Sequence, residues 1–198
     1  MRKITCLDDI PTAEQLRRVM NRMRYRKLFA ETFRSTAVSV LVAMAIAVLI
    51  AWFALPVVRV TGTSMEPALS NGQIVLCNKL SNPERGDIIA MYYNKKVLLK
   101  RVIAVAGDTI EIDESGHVTL NGEALSESYI SASALGECDI SFPYVVKENR
   151  WFVMGDNRAV SIDSRSSVFG CVSDENILGV IWLRIFPFDM PHLLGEEP

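Results

Sequence analysis

The spacing of apolar and polar positions divides the chain into three textures. From Thr12 onward the apolar residues Leu16, Val19, Met20 and Met23 recur at helical spacing along one face of an arginine-rich segment. Thr12 followed by Gln15 is a capping-box pair, which reads as a helix opening there, with a mobile tail as the equal alternative. Next come 24 residues without a charge, Ser35 to Val58. Beyond Arg59 the pattern shifts to short β-like runs broken by Gly, Asn and Pro. Gln73 to Lys79, Asp87 to Tyr93, Lys96 to Ala106 and Thr109 to Asp113 read as strands, and Trp151 to Met154 and Gly179 to Phe186 supply two more. His117 to Leu120, followed by Asn121-Gly122, reads as a hairpin with a two-residue primed turn. Ser126 to Asn149 is an irregular excursion. The pattern predicts a mainly β, antiparallel domain preceded by one transmembrane α-helix.

Length and charge turn the middle texture into a membrane expectation. As a helix, the uncharged run would extend roughly 36 Å at about 1.5 Å per residue, enough to cross a hydrocarbon core of about 30 Å. A cleavable secretory signal has a shorter apolar region and a brief basic start. This run is longer and follows 34 residues; a buried core helix is the other rival, but Trp52 near the outer end fits an interfacial position better. Residues 1–34 hold nine Lys/Arg against four Asp/Glu, whereas residues 59–198 hold twelve against nineteen. The positive-inside bias therefore puts the N-terminus in the cytoplasm. The expected organisation is a basic cytoplasmic segment (1–34), a single-pass anchor in the cell membrane (35–58) and an extracytoplasmic domain (59–198), with the lipid bilayer as a partner. The acidic outer domain argues against nucleic acid. Of the four cysteines, Cys6 falls inside and Cys77, Cys138 and Cys171 outside, so at least one outer thiol is unpaired within the chain; Cys77 sits in an apolar strand pattern and reads as core. No Cys or His spacing suggests a metal, and no cofactor is expected.

Three stretches carry candidate chemistry. Gly62-Thr63-Ser64-Met65-Glu66-Pro67 presents a serine shortly after the anchor. Its fifth position is Glu66 rather than glycine, unlike a nucleophile elbow, and Pro67 stands where an S-x-x-K motif needs lysine. Lys100 ends the apolar run Val97-Leu98-Leu99, and alternation turns it to the face of Leu98 and Val102. Burial there would lower its pKa and yield an amine able to take a serine proton, whereas the blander reading is a lysine whose stem reaches water. His117 and His192 lie in no recognisable catalytic context. The third stretch, Gly155 to Arg165, is dense in short polar side chains that stiffen a loop. In it Ser161 could orient the lysine amine, while Asp163 could pair with Arg165 or with Arg101; an ordinary polar loop reads equally well.

Together and in this order, these stretches resemble the bacterial type I signal peptidases, membrane-bound Ser/Lys proteases that remove signal peptides from exported proteins. The matching blocks are Gly62 to Leu69, Arg85-Gly86-Asp87-Ile88-Ile89 with Leu99 to Asp108, and Gly155 to Val172. The resemblance implies Ser64 as nucleophile and Lys100 as general base, Ser161 positioning the lysine, and Asp163 and Arg165 holding the loop; Arg101 stays a supporting residue on the residue reading above, as a possible partner of Asp163. It implies cleavage after small residues of the Ala-x-Ala type, with pockets lined by Val60, Met65, Leu69 and Leu99, and the Ser64 main-chain N–H as an oxyanion donor. Where some members carry a serine as second donor, this chain has Gly62, as in shorter Gram-positive-type members. Gln73 replaces a common aspartate, which reads as a structural change. Implied partners are preprotein signal peptides and the secretion translocon, with an apolar segment around Ile185 to Phe188 on the outer leaflet. Two rivals stand beside this reading. A self-cleaving Ser/Lys repressor would need a DNA-binding head in place of the span. An inactive membrane-anchored β scaffold would bind exported chains without cutting them.

Overall fold

The computed structural model describes residues 12–187; Cys6, Phe188 and His192 lie outside the described residues. One helix, α1 (Ala13–Ala54), runs through both the basic and the uncharged segments. The Thr12 N–H donates to Gln15 Oε1 at 3.0 Å, one half of the expected capping box. None of its residues is buried, and its uncharged stretch from Ser35 to Ala54 is about 30 Å long at helical rise. The uncharged run of sequence reaches Val58, yet the helix stops at Ala54. Pro56 disfavours helical geometry at Leu55 and has no N–H to continue the ladder. Val57–Arg59 instead forms strand β1, paired with β2 (Ile74–Asn78).

The remaining strands are β3 (Ile88–Tyr93), β4 (Lys96–Ala104), β5 (Thr109–Ile112), β6 (Val118–Leu120), β7 (Glu123–Ala124), β8 (Tyr144–Val145), β9 (Arg150–Met154), β10 (Val172–Ser173) and β11 (Ile177–Phe186). They form a seven-stranded sheet in the order β1-β2-β11-β3-β4-β9-β10 and a four-stranded sheet in the order β7-β6-β5-β8. Every pairing between described strands is antiparallel, as expected. Asn121 (φ 52°) and Gly122 (φ 84°) supply the two left-handed residues of the primed turn between β6 and β7.

Period-two alternation sorts the core. Ile88 and Ala90 of β3 join Val75, Cys77, Leu99 and Ile181 in one buried cluster. Ile89 and Met91 point the other way, into a cluster with Val102, Val153, Val172 and Val180. A third cluster, containing Ile103, Ile110, Val118, Phe152 and Met154, joins the larger sheet to the smaller. The 126–149 stretch is less irregular than expected: Tyr144–Val145 pairs with β5, and Ile140, Phe142 and Tyr144 pack on the third cluster.

Candidate active site

The Ser64 loop is closed at its base by paired backbone bonds. Val60 N–H donates to Gln73 O at 2.8 Å, and Gly72 N–H donates to Val60 O at 2.9 Å. Gln73 also accepts from the Ser70 N–H, the structural part expected of it. Met65 and Leu69 insert into the first core cluster, which fixes the loop and leaves Ser64 half-buried above it. Gly62 holds φ +90°, a conformation that disfavours a side chain at that position. The Ser64 carbonyl accepts from Asn157 N–H at 3.1 Å, and the Asn157 amide donates to Thr63 O, tying this loop to the Gly155–Arg165 loop. Among the described residues the Ser64 N–H has no hydrogen-bond partner, so it is available to a developing oxyanion.

Lys100 lies in the middle of β4, between β3 and β9, directly opposite the fully buried Ile89. Only 3% of it is exposed, so the snorkelling alternative does not hold. Its Nζ donates to Ser161 Oγ at 2.6 Å, and among the described residues it forms no ion pair. Burial pushes the amine from 10.5 down to about 8; the negative charges of Asp163 and Asp156 pull the other way, and Arg165 adds to the depression.

The loop from Gly155 to Arg165 is held by charge. Asp163 and Arg165, both fully buried, pair through Nε at 2.8 Å and Nη2 at 2.8 Å. Burial alone would raise the Asp163 carboxyl, but Arg165, Ser161 and the Gly155 N–H hold it below the usual carboxylate range. Arg165 also donates to the carbonyls of Ala134, Leu135, Arg158 and Ser161, stitching the 126–149 stretch onto the loop. Of the two partners open to Asp163 in the sequence, the structure selects Arg165. Arg101 pairs instead with Asp156, at 2.8 and 2.7 Å, and lies over the Tyr129 ring at 4.0 Å.

Sequence reasoning missed a third pair, Arg158 with Glu127, which is buried and doubly hydrogen-bonded. No local signal marks it, because the partners stand 31 positions apart. Gly155 was missed too. A Cβ there would overlap both Ser161 Oγ and the Ser64 carbonyl oxygen, so these groups approach each other across a bare backbone.

The remaining expected residues separate clearly. Val60, Met65, Leu69 and Leu99 do converge, but as a nearly closed cluster. An open cavity of about 440 Å³ lies beside them, walled by Glu66, Pro67 and Ser70, by Asp156 to Ala159, and by Ser131, Ala132 and Ala134. His117 is exposed and contacts Asp113. Cys77 is buried, and burial pushes its thiol up to about 12, which makes it inert; Cys77, Cys138 and Cys171 are all free thiols. Among the described residues no three His, Cys, Asp or Glu side chains converge as a metal would need.

The family model described as "Signal peptidase, peptidase S26" matches residues 33–186. The signal peptidase I of Bacillus licheniformis is 33% identical over 164 residues, covering 76% of this chain and 87% of that protein. Signal peptidase I T of Bacillus subtilis (strain 168) is 31% identical over 183 residues, covering 85% and 93%. A crystal structure of a signal peptidase I from Enterococcus faecalis V583 is 32% identical and covers 50% of this chain and 97% of that one, with a TM-score of 0.41.

Proposed function

The chain belongs to the peptidase S26 family of signal peptidases, which are serine endopeptidases, and from that premise we propose that it cuts signal peptides from preproteins with a Ser64–Lys100 dyad. In this reading the neutral Lys100 amine accepts the Ser64 hydroxyl proton as Oγ attacks the scissile carbonyl. The amine keeps one N–H on Ser161, which fixes the direction of its lone pair. The Ser64 N–H stabilises the tetrahedral oxyanion. The lysine then gives its proton to the leaving amine, and the C–N bond breaks to leave an ester on Ser64. A water, deprotonated by the same lysine, attacks that ester; the carbonyl C–Oγ bond then breaks as the lysine returns the proton to Ser64 Oγ, and the signal peptide leaves with a new carboxyl terminus.

The observation that carries this reading is the buried, ion-pair-free lysine bonded to Ser161. An amine with a pKa of about 8 is a usable base near neutral pH, which a solvated lysine is not. Ser161 and Gly155 serve as positioning residues, and Asp163, Arg165 and Arg101 hold the loop that carries them. The close packing of Val60, Met65, Leu69 and Leu99 supports a preference for small side chains before the cut, because little volume can open there without displacing core. An extended substrate would place alternate side chains toward this cluster. For topology we propose a basic cytoplasmic segment (1–34), a single-pass anchor within 35–58 and an extracytoplasmic catalytic domain (59–198); the apolar helix and the charge asymmetry support it.

The test is incubation of the purified full chain with a preprotein, followed by N-terminal sequencing of the product. Cleavage after a small residue, lost in Ser64→Ala and in Lys100→Met, is the expected result. Turnover by either folded variant contradicts the dyad. A wild-type chain that binds preprotein without cutting it would identify the scaffold instead.

A further inference from the structure

The cavity beside the Ser64 loop carries an asymmetry of charge. Two of the charged groups at its wall are neutralised: Asp156 by Arg101, and Arg158 by Glu127. Glu66 is not. Its half-buried carboxylate has no hydrogen bond or ion pair among the described residues, and it stands two positions after Ser64. Pro67, Ser131, Ala132, Asn157 and Ala159 complete a wall of small or uncharged side chains around it. None of the cavity's residues belongs to the cluster of Val60, Met65, Leu69 and Leu99. Two regions therefore lie next to Ser64 along the chain, the closed apolar cluster that takes in Met65 and the open cavity that Glu66 walls with one uncompensated negative charge. Asn157 N–H bonds the Ser64 carbonyl, so the open surface directly adjoins the nucleophile's backbone.

We infer that this cavity receives the first residues after the cut bond, and that Glu66 makes the enzyme favour cationic and disfavour acidic side chains there. The inference rests on the Ser64 reading, since a cut at Ser64 divides the substrate between the two surfaces. A lysine or arginine entering the cavity meets the only unpaired charge among its described walls, whereas an aspartate or glutamate meets a like charge with no cation free to offset it. The charge is half-exposed, so the discrimination is modest and screened by salt.

The test uses the full chain in detergent and three preprotein peptides that differ only at the first two positions after the cut: Lys, Ser or Asp. We expect wild type to process the Lys peptide about five-fold faster than the Asp peptide, as kcat/KM at low salt, and that ratio to shrink in 0.5 M NaCl. Glu66→Gln should bring the ratio close to one, and Glu66→Lys should invert it. Ratios are read within each variant, so a change in overall rate does not enter, and the wild-type salt dependence stands alone if a variant misfolds. Equal processing of the Lys and Asp peptides by wild type overturns the inference while leaving the dyad intact. So does a wild-type preference that survives Glu66→Gln unchanged, or one that appears only when the charge is moved before the cut. No processing of the Ser peptide by wild type overturns the dyad and this inference together.

Discussion

Lys100 and Arg101 are neighbours on β4, and the structure handles their two charges in opposite ways. Arg101 receives a bidentate carboxylate, a backbone carbonyl and an aromatic face. Lys100 receives one hydroxyl and a fully buried isoleucine across the strand. The same contrast extends over the whole site. In the Gly155–Arg165 loop every buried cation is paired, Arg158 with Glu127 and Arg165 with Asp163. Fixed ion pairs supply rigidity there, because a planar guanidinium spends its donors in set directions. The lysine is left without a carboxylate, and burial makes its neutral form accessible. A scaffold of saturated charges surrounds one unsaturated base.

The largest test of this contrast removes the two residues of the proposed dyad. Ser64→Ala and Lys100→Met should each lower preprotein cleavage by at least about 10⁴-fold while preserving the circular dichroism spectrum of the fold. Removing a member of the scaffold should have the reverse emphasis. Asp163→Asn leaves the fully buried Arg165 guanidinium without its counter-charge, at a cost of about 3–5 kcal/mol read by chemical denaturation. Activity then falls because the loop carrying Ser161 loosens. Gly155→Ala tests the joint between the two halves. Its Cβ would push Ser161 away from the Ser64 backbone, and a drop in kcat of about 10- to 100-fold is expected with a smaller change in stability.

The smallest effect has an unusual sign. A lysine whose pKa moves from 10.5 to about 8 on folding destabilises the folded state by about 3 kcal/mol below pH 8. Between pH 8 and 10.5 the unfolded chain binds the additional proton, so wild-type stability rises with pH across that window and the penalty is gone above it. Lys100→Met removes the penalty and forfeits one hydrogen bond worth about 1 kcal/mol, so the inactive variant should be more stable than wild type by about 2 kcal/mol at pH 7. Denaturation at pH 7 and pH 10 should show that gap closing. A gap that is absent at pH 7 would mean Lys100 is not strained by burial.

What could be read in the sequence follows the range of the interactions. Strands β2 to β6, β9 and β11 declared themselves through alternation, and the β6–β7 turn through Asn121-Gly122, because those signals are local. Strand β1 did not, since Val57 and Val58 continue an uncharged run and only Pro56 separates them from the helix. The burial of Lys100 was suggested by its apolar neighbours, but the choice between amine and snorkelling stem depended on β3 and β9 covering it. The ion pairs were the least legible. Asp163 had two possible cations within the motifs, and Glu127 lay in a stretch with no pattern at all. Its partner Arg158 is set by how the 126–149 stretch folds back, which no short-range periodicity encodes. Glu66 shows the reverse: it was visible in the motif, yet its unpaired state emerged only when every neighbouring charge had found a partner.

In the proposed mechanism Lys100 works as a neutral amine. The decisive measurement is kcat/KM for a preprotein peptide across pH 6 to 10.5, since that parameter reports ionisations of the free enzyme. A rising limb with its midpoint near pH 8, falling about tenfold per unit below it, is expected for a base that must lose its proton. A profile flat across this range, or one still rising toward pH 10.5, would contradict it.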